Sequence, residues 1–342
     1  MQPIHNTAEL EEQLSRPDTA VLETLARTPG DFLVAGAGGK MGPSLCRMLR
    51  RGLDEVGRGA ARVIAVSRFS SPDAAAALAA HRIQTIACNL LDRSALAALP
   101  DAPNIVYMAG QKFGTHDAPE QTWAINTLLP AFIAERFPHS RFVVFSTGCV
   151  YPLSPVPSSG SSEDDPLLPP GEYAASCVGR ERIFTHYSNL HKTPMLFFRL
   201  CYSIDLRYGV LTDIAQRVLA GKPVDLQMGW TQVIWQRDAC ARALRCFDVV
   251  SAPPTALNVT GPEQLSVRWI AEQFATRFGS TATFSGIEGN RAWLWNATRS
   301  CQLFGPPETS ITDMLDAVAN WLQRGGGVLN KPTHFEVQDG NY

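Results

Sequence analysis

No apolar run in this sequence approaches the roughly 20 residues needed to cross a bilayer. The opening stretch, Met1 to Glu12, is polar and acidic, so it lacks the charged start and apolar core of a secretory leader. The net charge is -2, which leaves no basic field for nucleic acid or a membrane surface. The eight cysteines (46, 88, 149, 177, 201, 240, 246 and 301) contain no Cys-x-x-Cys pair, which argues against a disulfide framework or a zinc site. The seven histidines show no metal-ligand spacing; His186 and His191, five apart, do not share a helix face. What these absences leave is a cytoplasmic protein with reduced thiols and a small-molecule partner, without nucleic acid, membrane or metal.

What is present is alternation. After a helical preface over residues 1–30, short apolar strands alternate with helices. The strands are Phe32 to Ala35, Arg62 to Val66, Ile83 to Cys88, Asn104 to Met108, Arg141 to Phe145 and Pro194 to Phe198. A long helix over Glu120 to Phe137 is interrupted at Pro130. Near-continuous apolar strands between helices predict an α/β fold, a doubly wound parallel sheet covered on both faces. Residues 1–30 are an N-terminal helical extension, and 31–200 form the dinucleotide-binding domain, to which 229–259 return. Residues 201–228 and 260–325 form a smaller C-terminal subdomain for substrate, and 326–342 are a tail.

Gly36-x-x-Gly39-x-x-Gly42 sits between the first strand and the helix from Ser44 to Gly52. Glycines there permit a tight turn and close approach of a pyrophosphate, and the helix N-terminus supplies N–H groups and a positive dipole end. Lys40 and Met41 lie inside the loop. The second strand ends in Ser67-Arg68, with no acidic residue to hold a ribose hydroxyl. A guanidinium suits a 2′-phosphate instead, so NADP is favoured over NAD, and Lys40 could add charge near that phosphate. The bland alternative makes Arg68 a solvated charge stacked over the adenine.

With these pieces in place, the chain over about residues 31–325 resembles the NAD-dependent epimerase/dehydratase family, the extended short-chain dehydrogenase/reductases. The likeness rests on the glycine loop, Asn89-Leu90-Leu-Asp92, Met108-Ala109-Gly110, Asn126, Ser146 to Tyr151, Tyr173 to Cys177 with Glu181, Arg199 and Asp238. It implies that Asn89, Leu90, Met108, Ala109, Gly110 and Asn126 serve the cofactor. It also implies a catalytic trio of Thr147, Tyr173 and a lysine four residues on, and a homodimer.

That lysine is absent: position 177 is Cys. A tyrosine of pKa about 10 is a poor base at neutral pH without help, and a thiol gives none. Three readings stay open. A cation could come from elsewhere, Lys112 first and Arg180 second. The tyrosine could work unassisted. Or the chemistry is lost and the protein is a dinucleotide-binding sensor or structural protein without turnover. Gly148, Cys149, Tyr202, Arg207 and Tyr208 are placed for substrate, and an arginine at 207 suits a carboxylate or phosphate. His116 could touch substrate, and Trp230 and Trp235 could wall the cleft or simply pack. The expected activity is NAD(P)-dependent oxidation, epimerisation or dehydration of a sugar, sugar acid or related hydroxy compound.

Overall fold

The computed structural model describes residues 3–69, 71–115, 117–331 and 333–340; His116 and Ser70 lie outside the described residues. Seven strands form one parallel sheet: β1 (Phe32–Ala35), β2 (Val63–Ser67), β3 (Gln84–Ala87), β4 (Asn104–Tyr107), β5 (Arg141–Thr147), β6 (Met195–Leu200) and β7 (Thr255–Val259). Their order is β7-β6-β5-β4-β1-β2-β3. The period of two in a strand divides each one between two cores. Phe32, Val34, Ala65, Val106 and Val143 face α3 (Gly42–Glu55) and α10 (Gln236–Arg245). Leu33, Ile64, Val66, Ile105 and Phe142 face the other side with Phe184 of α8 (Gly171–His191). Both faces are covered, which is why these strands read as continuous apolar runs. Each such side chain, taken out of water, contributes about 1.5–3 kcal/mol.

The order reverses between β1 and β4. In a doubly wound sheet, the crevice at the carboxyl ends of such strands takes ligands. The loops leaving β1 and β4 carry Gly36 and Met108.

Several expectations are corrected. No break occurs at Pro130. A first helical turn, α6 (Pro119–Trp123), continues through one π turn (Ala124–Leu128) into α7 (Leu129–Arg136). Pro130 falls in the opening turn of α7, after the wide turn, where its missing N–H disturbs little. Strand β6 runs two residues further than expected, so Arg199 lies within it. There its Nη2 meets Glu181 Oε2 at 2.7 Å with both side chains buried, and Ser146 Oγ donates to the same carboxylate at 2.6 Å.

The preface is two helices, α1 (Thr7–Leu14) and α2 (Thr19–Arg27). Asn6 caps the first by accepting from Glu9 N at 2.9 Å; Asp18 caps the second by accepting from Val21 N at 2.7 Å. Helix α2 packs on α3 and α10. On the far side of the molecule α9 (Val210–Leu219), α11 (Val267–Phe278) and α13 (Ile311–Gln323) pack together. The chain beyond α13 turns back over the carboxyl ends of the sheet. Trp293 Nε1 donates to Val337 O at 2.9 Å, Phe335 is buried, and Gly340 lies against Pro170 so closely that a Cβ would meet its carbonyl at 2.4 Å.

Candidate active site

The glycine loop is shaped partly by its own packing. Gly36 takes φ +92°, and a Cβ there would stand 2.5 Å from Ala109 N; a Cβ on Gly42 would stand 2.2 Å from Ala37 O. Both positions are closed to any larger residue. Gly39 differs. Its φ is ordinary, and a Cβ would touch only Gly36 O, at 3.5 Å. Nothing in the protein requires glycine there, and the residue borders two cavities. The N-terminus of α3 beside it has no side-chain cap, so its first N–H groups point out of the helix. This is a cradle that a side chain would fill, and it fits a dinucleotide pyrophosphate.

One cavity, about 660 Å³, extends over β2 and β3. Ser67, Arg68, Asn89, Leu90, Met108, Ala109 and Gly110 line it. The other, about 310 Å³, lies over β5 and β6 and is lined by Lys40, Met41, Gly42, Lys112, Thr147, Cys149, Tyr173, Tyr202 and Tyr208. Gly36, Gly39, Met108, Lys112 and Phe113 border both. The site residues expected from sequence therefore gather at one crevice, except Arg207, Gly148 and Asn126, and Lys40 takes a different place in it from the one expected. Lys40 lines the smaller cavity and not the one that holds Arg68, so it adds no charge beside a 2′-phosphate. Arg207 is drawn aside by ion pairs to Glu11 at 2.8 Å and Asp205 at 2.7 Å. Gly148 sits beneath Trp295, whose Nε1 donates to its carbonyl at 2.9 Å. Asn126 is fully buried. Its amide spans the Gln111 peptide, accepting from Gln111 N and donating to Gln111 O, both at 2.9 Å, and donates to Ser176 Oγ at 3.0 Å.

Tyr173, Cys177 and Arg180 share one face of α8, at the spacing of successive helical turns. The Tyr173 phenol hydrogen-bonds the Thr147 side chain and the Cys177 thiol. Burial pushes the phenol well above its usual range, and Cys177 and Cys149 add to that; Arg180 and the Thr147 bond oppose it. Burial also pushes the Cys177 thiol up to about 11, against the pull of Arg180. Cys177 is therefore a neutral packing residue and not a nucleophile.

The two cations named for the missing lysine stand in different places. Lys112 reaches toward Thr333 O at 3.4 Å, and burial holds its ammonium below the usual range while Cys149, Asp213 and Cys177 pull it back. Arg180 is buried behind Tyr173. It donates to Phe145 O at 2.8 Å and Asn126 Oδ1 at 2.7 Å, and its guanidinium lies over the Tyr107 ring. Its charge acts on both Tyr173 and Cys177.

Sequence reading missed Trp295 and Thr333, which also line the smaller cavity. Ala292-Trp-Leu-Trp295 is a short continuous apolar run, buried throughout, a signal that was there to be read. Trp230 and Trp235 do not line it; Trp235 is packed in the core.

No curated protein matches the chain in sequence. Its fold is similar to UDP-glucuronic acid 4-epimerase from Bacillus cereus in complex with NAD (TM-score 0.70, 19% identity, 86% of this chain and 99% of that one). It is similar as well to dTDP-glucose 4,6-dehydratase from Bacillus anthracis in complex with NAD (0.72, 17%, 86% and 97%). A third is UDP-glucose 4-epimerase from Thermotoga maritima with UDP-glucose (0.70, 14%, 86% and 99%). At these identities the likeness is one of fold. No helix among the described residues is long and apolar enough to cross a membrane. The family model carries the assignment: residues 32–240, more than half of the chain, match it, and the chain belongs to the NAD dependent epimerase/dehydratase family of enzymes.

Proposed function

We propose that the protein is a nicotinamide-dinucleotide-dependent oxidoreductase, epimerase or dehydratase acting on a sugar, sugar acid or related hydroxy compound, with Tyr173 handling the proton. The observation that carries this is the Tyr173–Thr147 hydrogen bond in a cavity continuous with the glycine cradle. Solved structures of similar fold contain NAD, and the cradle at Gly39 suits such a ligand. Gly36, Gly39 and the first turn of α3 would hold its pyrophosphate; Asn89 and Leu90 border the space for adenine. Arg68, exposed at the end of β2, favours a 2′-phosphate and hence NADP. Bound, the dinucleotide supplies a nicotinamide able to accept or give hydride.

The chain's own residues do the rest. Tyr173 is a neutral phenol at pH 7 because burial holds its proton on. That is the state which gives a proton to a substrate oxygen. Thr147 fixes the phenol's direction and offers a second hydroxyl to the same oxygen. Arg180 is a positioning residue: from behind, its charge favours the phenolate that remains once the proton has moved. Phe113, Tyr202 and Trp295 keep the cavity wall apolar, which strengthens each polar contact inside.

The test is fluorescence titration of NADPH and NADH, then turnover on a panel of sugars and sugar acids by wild type and Tyr173→Phe. Both proteins should bind dinucleotide equally. Turnover in the variant should fall by about 10²–10⁴-fold. Binding with no turnover in wild type would favour the sensor reading that Cys177 raises. No binding of either dinucleotide would overturn the proposal.

A further inference from the structure

The smaller cavity has an unusual balance of charge. The chain holds only five lysines: Lys40, Lys112, Lys192, Lys222 and Lys331. Two of them line this cavity, and among the described residues neither a carboxylate nor an arginine lines it with them. Lys40 makes no ion pair among the described residues; its ammonium is pinned over the Tyr208 ring, 2.9 Å from the centroid. The two carboxylates whose charge acts most on Lys40 are committed. Asp205 holds Arg207, and Asp213 accepts from Thr333 N at 2.8 Å and Thr333 Oγ1 at 2.6 Å. Burial first, and then the neighbouring charges of Lys112 and Lys331, lower Lys40 to about 7 against the opposing pull of Asp205 and Asp213.

The cavity is also short of room. At about 310 Å³ it stands at the small end of ligand sites, which run from about 300 to 1,000 Å³. The returning C-terminal segment closes it. Thr333 forms part of the wall, Lys112 and Tyr202 both point at that segment's carbonyls, and Phe335 is buried beside them. A nucleoside diphosphate needs length, and two phosphates are best matched by guanidinium forks. This enclosure offers neither.

We infer that the substrate of this site is a small hydroxy or keto acid, its carboxylate held by the ammonium groups of Lys40 and Lys112 and its carbinol or carbonyl oxygen at Tyr173 and Thr147. The inference rests on the reading of the site given above and narrows it to one chemical class. It sets the chain apart from the nucleotide sugars named for the structures of similar fold.

The test reads binding and not turnover, so it stands apart from the test of the enzyme reading. Protein saturated with NADPH is titrated calorimetrically at pH 6.5 with gluconate, with its uncharged counterpart glucitol, and with UDP-glucuronate. Gluconate should bind at least tenfold more tightly than glucitol and no more weakly than UDP-glucuronate. Lys40→Met should bring gluconate down to the level of glucitol and leave glucitol unchanged. Lys40→Arg, which keeps the charge, should stay within about threefold of wild type. NADPH titration of each variant checks that the loop is intact. Equal binding of gluconate and glucitol, tighter binding of UDP-glucuronate, or indifference to Lys40→Met would each overturn the inference. Gluconate binding without turnover of any acid would leave it standing and count against the enzyme reading instead.

Discussion

Arg180 Nη2 donates to Asn126 Oδ1 at 2.7 Å, and the amide that accepts this bond also clamps both ends of the Gln111 peptide. One guanidinium thus ties the helix of Tyr173 to the π turn and to the loop that carries Lys112. Its Nε is buried without a partner among the described residues. The arrangement fixes position and supplies charge at once.

Arg180→Met should separate these two roles. Loss of the donor leaves Asn126 Oδ1 and Phe145 O underused in a dry place, which costs about 1–3 kcal/mol of stability. Loss of the charge removes the pull that lowers Tyr173, so the phenol's pKa should rise further. The pH–rate profile should move its alkaline limb upward, and thermal melting should report the stability loss. Arg180→Lys should restore the profile in part. An unchanged profile in Arg180→Met would reduce the residue to packing.

The glycines of the loop should respond in opposite ways. Gly42→Ala forces a Cβ to within 2.2 Å of Ala37 O, and the backbone shift should cost about 1–3 kcal/mol. Gly39→Ala meets only an ordinary contact, so its melting should match wild type to within about 0.5 kcal/mol. Dinucleotide affinity should nevertheless fall at least tenfold. Calorimetry and fluorescence titration on the two variants check both halves.

Arg68→Ala should weaken NADPH and spare NADH. A lost charge-assisted bond to phosphate is worth about 1.5–3 kcal/mol, or roughly 10–100-fold in affinity. NADH should stay within about twofold. Equal loss for both would mean that Arg68 stacks on the adenine and does not read the phosphate.

Substrate affinity should fall as the pH rises through 7. The unfolded chain keeps the Lys40 proton up to about pH 10.4, whereas the folded protein releases it near 7. Between these values the unfolded state binds more protons, so Lys40 makes stability rise with pH. An anion prefers the protonated form, so its affinity runs the other way, by up to roughly tenfold per pH unit above 7 until the charge contribution is spent. The groups that set this titration are Lys112, Lys331, Asp205 and Asp213, with Tyr208 beneath the ammonium. Gluconate titrations from pH 6 to 9, repeated on Lys40→Met, give the comparison; a flat profile in wild type would exclude Lys40 as the anchor.

The sheet was legible because its signals are local. Apolar runs, turn glycines and helix periods sit within a few residues of one another. The crevice was legible at Gly36, Asn89, Thr147 and Tyr173 for the same reason. What escaped depends on distant partners. Arg207 reads as an anion ligand until Glu11, nearly 200 residues earlier, is seen holding it. Lys40 lies inside the glycine loop in sequence but leans toward Tyr208 in space. Trp295 and Thr333 enter the site only because the C-terminal half folds back over the sheet. Pro130 misled because a π turn absorbs what a proline would otherwise break.

The hydrogen bond from Thr24 Oγ1 to Asp248 Oδ2 at 2.6 Å joins parts of the chain 224 residues apart. Helix α2 rests on α10 as well as on α3, so only part of its apolar face is covered until residues 236–248 have been synthesised. On the ribosome the first two helices can settle on α3 alone and must wait for α10 while most of the sheet assembles. Long-range closure of this kind slows folding, and it makes the N-terminal helices the segment most open to chaperone capture during synthesis.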